Sequence, residues 1–182
     1  MSDTRQQLKQ IATEQIRRHT LHAASFREMG KVLGIKSSSV HYHFDNRDAL
    51  LQELVSDYEH AFFAQLEARC AGLSSPLQRL QQLAGLFIDS HQQQQQCLCL
   101  AFAAAGDETT AEQRLAVQQF LRRLEEWVED TLSRAHLLPL ARPELARVIV
   151  SSLEGALLLD RDQNEPLRLL ATCQWLSTLT RL

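Results

Sequence analysis

Residues Gly34 to Leu50 read GIKSSSVHYHFDNRDAL. Within it, Ser37, Ser38, Ser39, His41, Tyr42 and His43 crowd three hydroxyls, two imidazoles and a phenol into seven residues. Such side chains make a poor core, because each must find a hydrogen-bond partner if it is buried. On a surface they can bond phosphate oxygens and base edges at close range, and the Tyr42 ring can lie against a thymine methyl. Lys36 and Arg47 flank the run and supply positive charge. A second group with chemistry is Cys97-Leu98-Cys99, with His91 six residues earlier. The N-terminus of a helix can lower a thiol's pKa, which makes Cys97, with Cys99 beside it, a redox-sensing candidate. The stronger reading of the pair is two small apolar-type residues in a buried helix. One residue apart, they are badly placed to bridge each other. With His91 they fall short of a full ligand set for a soft metal, so no metal site is expected. No third group is present to orient a base, so no enzyme and no cofactor are expected either.

The surrounding pattern is helical almost throughout. Leu8, Ile11, Ala12 and Ile16 form a stripe that predicts a first helix from about Thr4 to His19. Ser25 with Glu28 three residues on is a capping-box signature, opening a short helix through Leu33 with Phe26, Met29, Val32 and Leu33 inward. Gly34 is placed as its C-terminal cap. Ser37 or Ser38 caps the next helix, and Ile35, Val40 and Phe44 face inward. A long helix then begins near Arg47 and keeps its stripe (Leu51, Leu54, Val55, Tyr58, Phe62, Leu66) until Gly72. Ser75-Pro76 starts another, with proline at the first helical position. The five glutamines from Gln92 to Gln96 read as a solvated helix end or loop, and residues 97–105 as a buried helix. A long helix is expected from about Thr110 to Ala135, with Leu115, Phe120, Leu121, Leu124, Trp127, Val128 and Leu132 inward. Two more follow at about 143–159 and 165–181. No sustained alternating pattern suggests strands. The expected fold is all-α with about nine helices: an N-terminal three-helix helix-turn-helix domain over 1–50, joined by a long helix to a helical effector-binding and dimerisation domain over 51–182.

Charge agrees with that division. The first 50 residues carry a balance of +3 and the remaining 132 a balance of −6 within the overall −3. All three lysines and four of the seven histidines lie in the first 50. A mildly basic head on an acidic body suggests that only the head meets a polyanion. No apolar run approaches the length of a membrane span. The four cysteines form no framework of spacings, and the N-terminus (MSDTRQQLKQ) is polar and charged. A reduced, cytoplasmic protein without membrane association is therefore expected.

Helix, short helix, glycine-containing turn and short helix make a helix-turn-helix with a supporting first helix. From SFREMGKVLGI through KSSSVHYHF to DNRDALL, roughly residues 25–51, the segment resembles the DNA-binding domain of the tetracycline-repressor (TetR) family of bacterial transcriptional regulators. The resemblance is strongest at Tyr42-His43-Phe44, followed by Arg47 and Ala49-Leu50. It departs in three places: no glycine in the His19–Ala23 turn, Gly30 where the family usually has alanine, and Ser37-Ser38 where it often has lysine-glycine. By resemblance, the DNA-contacting residues are Ser25, Lys36, Ser37, Ser38, Ser39, His41, Tyr42, His43 and Arg47. The family also implies a homodimer formed through the last two helices and an effector site in the body, for an unknown small molecule. Repression, too, is implied by the family alone. Both last helices are apolar over a wider face than one antiparallel partner needs, in keeping with a dimer. Phe87, His91, Phe102, Leu124, Trp127 and Leu157 are the candidates for lining the effector pocket, and for each of them ordinary core is the stronger reading. A two-fold dimer would set its recognition helices in successive major grooves, about 34–36 Å apart, and so would read a near-palindromic double-stranded DNA operator. The rival reading keeps the helical dimer for ligand binding or protein contact, with a head that no longer binds DNA.

Overall fold

The computed structural model describes residues 3–135 and 138–179. Among them are nine α-helices and no strand: α1 (Asp3–Arg18), α2 (Phe26–Leu33), α3 (Ser37–His41), α4 (Arg47–Cys70), α5 (Pro76–Gln92), α6 (Leu98–Ala104), α7 (Ala111–Leu132), α8 (Arg142–Asp160) and α9 (Leu167–Leu179). Short 3-10 turns stand at Leu21–Ala23 and Gly106–Glu108. No helix among the described residues is long and apolar enough to cross a membrane.

Two compact units divide the chain. The first takes Met1–His60 and Leu98–Gln118, the second Ala61–Cys97 and Gln119–Leu182. The core of the first unit is built on Leu8, Ala12 and Ile16 of α1, Met29 of α2, Val40 of α3, and Leu50, Leu51 and Val55 of α4, all essentially inaccessible. Its α1–α4 contact is also ionic. Arg5 and Lys9 both reach Glu53, at 2.5 and 3.2 Å, and Lys9 also pairs with Asp57. Burial alone would raise the Glu53 carboxyl, but hydrogen bonds from Arg5 and Lys9 outweigh it and hold it below its ordinary value.

Two inward assignments fail for the same geometric reason. Val32 is 60 % exposed and Leu115 is 55 % exposed. At 100° per residue, Phe26, Met29, Gly30 and Leu33 share one stripe of α2, and Val32 falls about 60° outside it. On α7 the inward stripe is Gln113, Val117, Phe120, Leu124, Val128, Thr131 and Leu132, all buried, and Leu115 lies nearly opposite.

The second unit holds α5, α8 and α9, the C-terminal part of α4 and most of α7. Ser75 caps α5, its Oγ accepting from the Gln78 N–H, with Pro76 in the first turn. The glutamine run is only partly solvated. Gln92, Gln93 and Gln94 are exposed, whereas Gln95 and Gln96 are buried. The turn comes at Gln94, which adopts a left-handed φ of 55° and lets the Gln95 N–H return to the Ser90 carbonyl at 2.9 Å. The chain then runs inward.

Asp160, at the end of α8, is wholly buried and organises the connection to α9. Its Oδ2 accepts from the Leu169 N–H at 2.9 Å, and its Oδ1 pairs with Arg168 at 2.8 Å. Burial would raise this carboxyl, but Arg168 and the backbone N–H groups of Leu169 and Arg168 hold it below the ordinary carboxylate range. Because the folded value is depressed, its stabilisation is fully present above the unfolded value and disappears as pH falls through the folded one. Asp160→Ala should therefore cost about 2 kcal/mol at neutral pH, chiefly by orphaning the Leu169 N–H. In urea titrations the gap to wild type should stay constant down to about pH 4 and narrow below it.

Candidate nucleic-acid interface

The recognition segment is positioned by the turn ahead of it. Ser25 caps α2, its Oγ accepting from the Glu28 N–H at 3.2 Å. At the other end Gly34 is left-handed (φ 72°), and the Ile35 N–H returns to the Gly30 carbonyl at 2.9 Å. Gly30 is what allows α3 so close. A Cβ there would lie 2.9 Å from the Ile35 carbonyl oxygen and 3.5 Å from the Ser37 nitrogen, both backbone atoms that cannot swing away. Alanine would add about 1 kcal/mol of helix propensity but would push the turn outward, at a cost of about 1–3 kcal/mol. Gly30→Ala should lower stability by about 1 kcal/mol in thermal unfolding. It should also weaken duplex binding by more than that loss explains.

α3 is shorter than its sequence suggests. It spans Ser37–His41, with Lys36 rather than a serine at the N-cap and no side-chain cap bond there. Tyr42, still right-handed (φ −66°, ψ −28°), forms the C-cap. Val40 and Phe44 are buried and anchor the segment, while Ile35 is half-buried. Ser38, Ser39 and His41 are exposed, Ser37 and His43 half-buried, and Tyr42 is 88 % exposed. The Tyr42 and His43 rings meet edge-on, with centroids 5.3 Å apart, and the His41 ring packs edge-on against Phe26 at 4.7 Å. The His41 ring is thus held against Phe26, whereas the Tyr42 ring stands almost wholly in solvent. Lys36 is exposed, as are Arg27 and Lys31 on α2.

Arg47 is half-buried and has structural partners. Its Nε donates to the Ala24 carbonyl at 3.2 Å and its Nη2 to that of Leu21, so two of its five N–H donors hold the chain ahead of α2. The sequence also hid the part played by Arg5. Its guanidinium lies over the Phe44 ring at 4.7 Å, and its Nε donates to the His43 carbonyl at 3.4 Å. Separated by 38 residues from His43, Arg5 gives no local signal of this role.

The effector-side candidates fall in both units. Phe102 belongs to the first and is buried. Phe87, Leu124 and Leu157 are buried in the second, where Phe87 stands edge-on to Phe62. Trp127 is half-buried, with the Arg79 guanidinium 4.9 Å from its ring centroid. His91 is buried, and its Nε2 donates to the carbonyls of Asp160 (3.0 Å) and Gln163 (3.1 Å). Two carbonyl partners fix the proton on that nitrogen. His91 also lines an open cleft of about 470 Å³ with Gln92, Gln94, Gln163, Asn164 and Leu170. Cys97 and Cys99 are 2 % and 0 % exposed, so an electrophile reaches either thiol only after local opening. Among the described residues no cluster of three or more His, Cys, Asp or Glu side chains is placed to hold a metal ion.

A family model of the TetR C-terminal domain, described as "Transcriptional regulator LmrA/YxaF-like, C-terminal domain", matches residues 76–173, just over half of the chain. The chain belongs to the TetR family of transcriptional regulators. Solved structures agree on the fold of this TetR-family regulator from end to end. A TetR-family transcriptional regulator from Agrobacterium tumefaciens is 23 % identical, with a TM-score of 0.90 and 97 % of each chain covered. A TetR transcriptional regulator from Legionella pneumophila is 22 % identical, with a TM-score of 0.89, covering 98 % of this chain and 97 % of that one. The reduced form of NemR from E. coli superposes with a TM-score of 0.79 at 14 % identity, over 97 % of each chain. No curated protein matches by sequence. The family match lies wholly beyond the helix-turn-helix, so the regulator assignment and the exposed recognition surface are independent observations.

Proposed function

We propose that this TetR-family regulator binds a near-palindromic DNA operator as a cytoplasmic homodimer, represses from it, and is released by a small-molecule effector. The observation that carries the DNA reading is the sidedness of residues 37–44. Val40 and Phe44 are buried while Ser38, Ser39, His41 and Tyr42 face outward, on a five-residue helix and the turn that ends it. Hydroxyls allow close approach to a groove, and the phenol and imidazoles supply donors and acceptors for base edges and phosphates. Ser25, at the N-terminus of α2, sits where backbone N–H groups favour a phosphate. Lys36, with Arg27 and Lys31, supplies long-range attraction, and Arg47 holds the motif together through the Leu21 and Ala24 carbonyls with N–H donors left over for a phosphate.

The dimer reading is supported by α8 and α9. Val148, Leu158, Leu159, Leu167 and Leu170 are 39–63 % exposed, a wider apolar surface than scattered surface leucines supply. The effector reading rests on family membership and on Phe87, His91, Phe102, Leu124, Trp127 and Leu157 as lining candidates. Release through Cys97 or Cys99 would need the local opening that their burial demands.

Selection from a random pool of duplexes, followed by footprinting, tests the DNA reading. The protein should enrich a short inverted repeat, with affinity falling steeply as salt rises. Failure to enrich any sequence, with no binding at low salt, would leave a helical ligand-binding dimer as the better description.

A further inference from the structure

Gln113 is a polar residue with no solvent exposure, on the inward stripe of α7. Both ends of its side-chain amide are used. Its Oε1 accepts from the Thr110 N–H at 3.1 Å while the Gln113 N–H donates to Thr110 Oγ1 at 3.2 Å, a reciprocal cap on the first turn of α7. Its Nε2 donates to the Asp48 carbonyl, 65 residues away, at 3.2 Å. Asp48 lies in the first turn of α4, directly after Arg47, whose guanidinium holds the Leu21 and Ala24 carbonyls ahead of α2. One buried amide therefore starts α7 and grips the start of α4, next to the recognition segment. These are also the two helices whose residues are divided between the compact units, α4 at His60 and α7 at Gln118. A nearby tie between His22 and Glu108, at 2.8 Å, is solvent-exposed and contributes little by comparison.

We propose that Gln113 is a positioning residue for operator recognition: its Nε2–Asp48 bond sets the first turn of α4 against the first turn of α7, and so holds in place Arg47 and the recognition segment that Arg47 braces. The inference rests on the DNA-binding reading above. Its two roles are chemically separable. A glutamate at this position still accepts from the Thr110 N–H, and threonine with glutamate three residues on is itself a good capping pair. An ionised carboxylate cannot donate to the Asp48 carbonyl and repels it. Protonated, it regains an O–H donor.

The test measures binding of full-length wild type and Gln113→Glu to the duplex that wild type selects from a random pool, near neutral pH and at about pH 5. A carboxyl facing a carbonyl in a buried site has a raised pKa, so it is protonated at about pH 5. The variant should bind about tenfold more weakly near neutral pH, the loss of one buried hydrogen bond to the recognition unit. It should keep wild-type helical content, and the gap to wild type should close at the lower pH. Equal binding near neutral pH, or a gap that does not change with pH, overturns the proposal. Should the buried charge prevent folding, Gln113→Met takes its place: of similar length but without the amide, it should also bind about tenfold more weakly, and wild-type affinity in it would equally overturn the proposal. If wild type selects no duplex at all, the DNA-binding reading has failed, which is a different outcome.

Discussion

Tyr42→Ala should reduce operator affinity by about ten- to a hundredfold, equivalent to about 1–3 kcal/mol, without lowering thermal stability. The second half of this expectation follows from exposure. At 88 % exposed, the ring buries almost nothing against its own chain, and its edge contact with the exposed face of His43 is a minor packing term. A large flat ring left in water at the end of a helix gains free energy only when something covers it. A groove wall, with thymine methyls and sugar edges, can cover a ring face and offer the phenol an acceptor. Calorimetric unfolding and duplex titration on the same preparation check both halves. Unchanged affinity with unchanged stability would show that the groove lies elsewhere on the head. Tyr42→Phe should keep most of the affinity if ring contact dominates, and lose it if the phenol reads a base or phosphate.

The parts of this regulator legible in its sequence are those whose partners lie within about one helical turn. The Ser25 and Ser75 caps, Pro76 in the first turn of α5 and the left-handed Gly34 each follow from residues three or four positions apart, and each is present. Gly30 is marked in the sequence by its departure from the family's usual alanine, and the Ile35 carbonyl supplies the packing reason for it. Asn46 is a local signal of the same kind: its Oδ1 caps α4 by accepting from the Ala49 N–H at 2.8 Å. What the sequence concealed depends on distant partners. Arg5 reaches His43 and Glu53 across 38 and 48 residues, Gln113 reaches Asp48 across 65, and His91 reaches Asp160 across 69. No periodicity marks such residues, because a buried polar group is tolerated only by a partner that folding brings to it. The exposure of Val32 and Leu115 is a different kind of miss. Both are apolar residues beside an apolar stripe, and only the accumulated helical angle shows that they lie off it.

Leu159→Glu combined with Leu167→Glu should convert a dimer to a folded monomer and lower operator affinity by about a hundredfold or more. On α8, Val148, Ser152, Gly155 and Leu159 follow one another at intervals of four, three and four, a single stripe with small residues at its centre. Side chains as small as Ser152 and Gly155 let a second helix approach closely, and nothing lies within 4 Å of a Cβ built at Gly155. On α9, Leu167, Leu170, Ala171 and Gln174 are all exposed, while Leu169, Leu176 and Leu179 fill the inner face. The connection between these helices is held by Asp160, which bonds the Leu169 N–H, and by His91, which bonds the Asp160 and Gln163 carbonyls. Both outer stripes thus belong to one fixed surface. Leu159 and Leu167 are 62 % and 63 % exposed, so glutamates there leave the protomer's core untouched and act only where a second copy would desolvate them. Two heads joined through this surface bind a palindrome with the second half-site held at high effective concentration, an advantage that a monomer loses entirely. Sedimentation equilibrium and duplex titration should therefore change together. A double variant that still sediments as a dimer would place the interface away from α8 and α9. One that is monomeric yet binds its duplex at wild-type affinity would show that each head recognises its site alone.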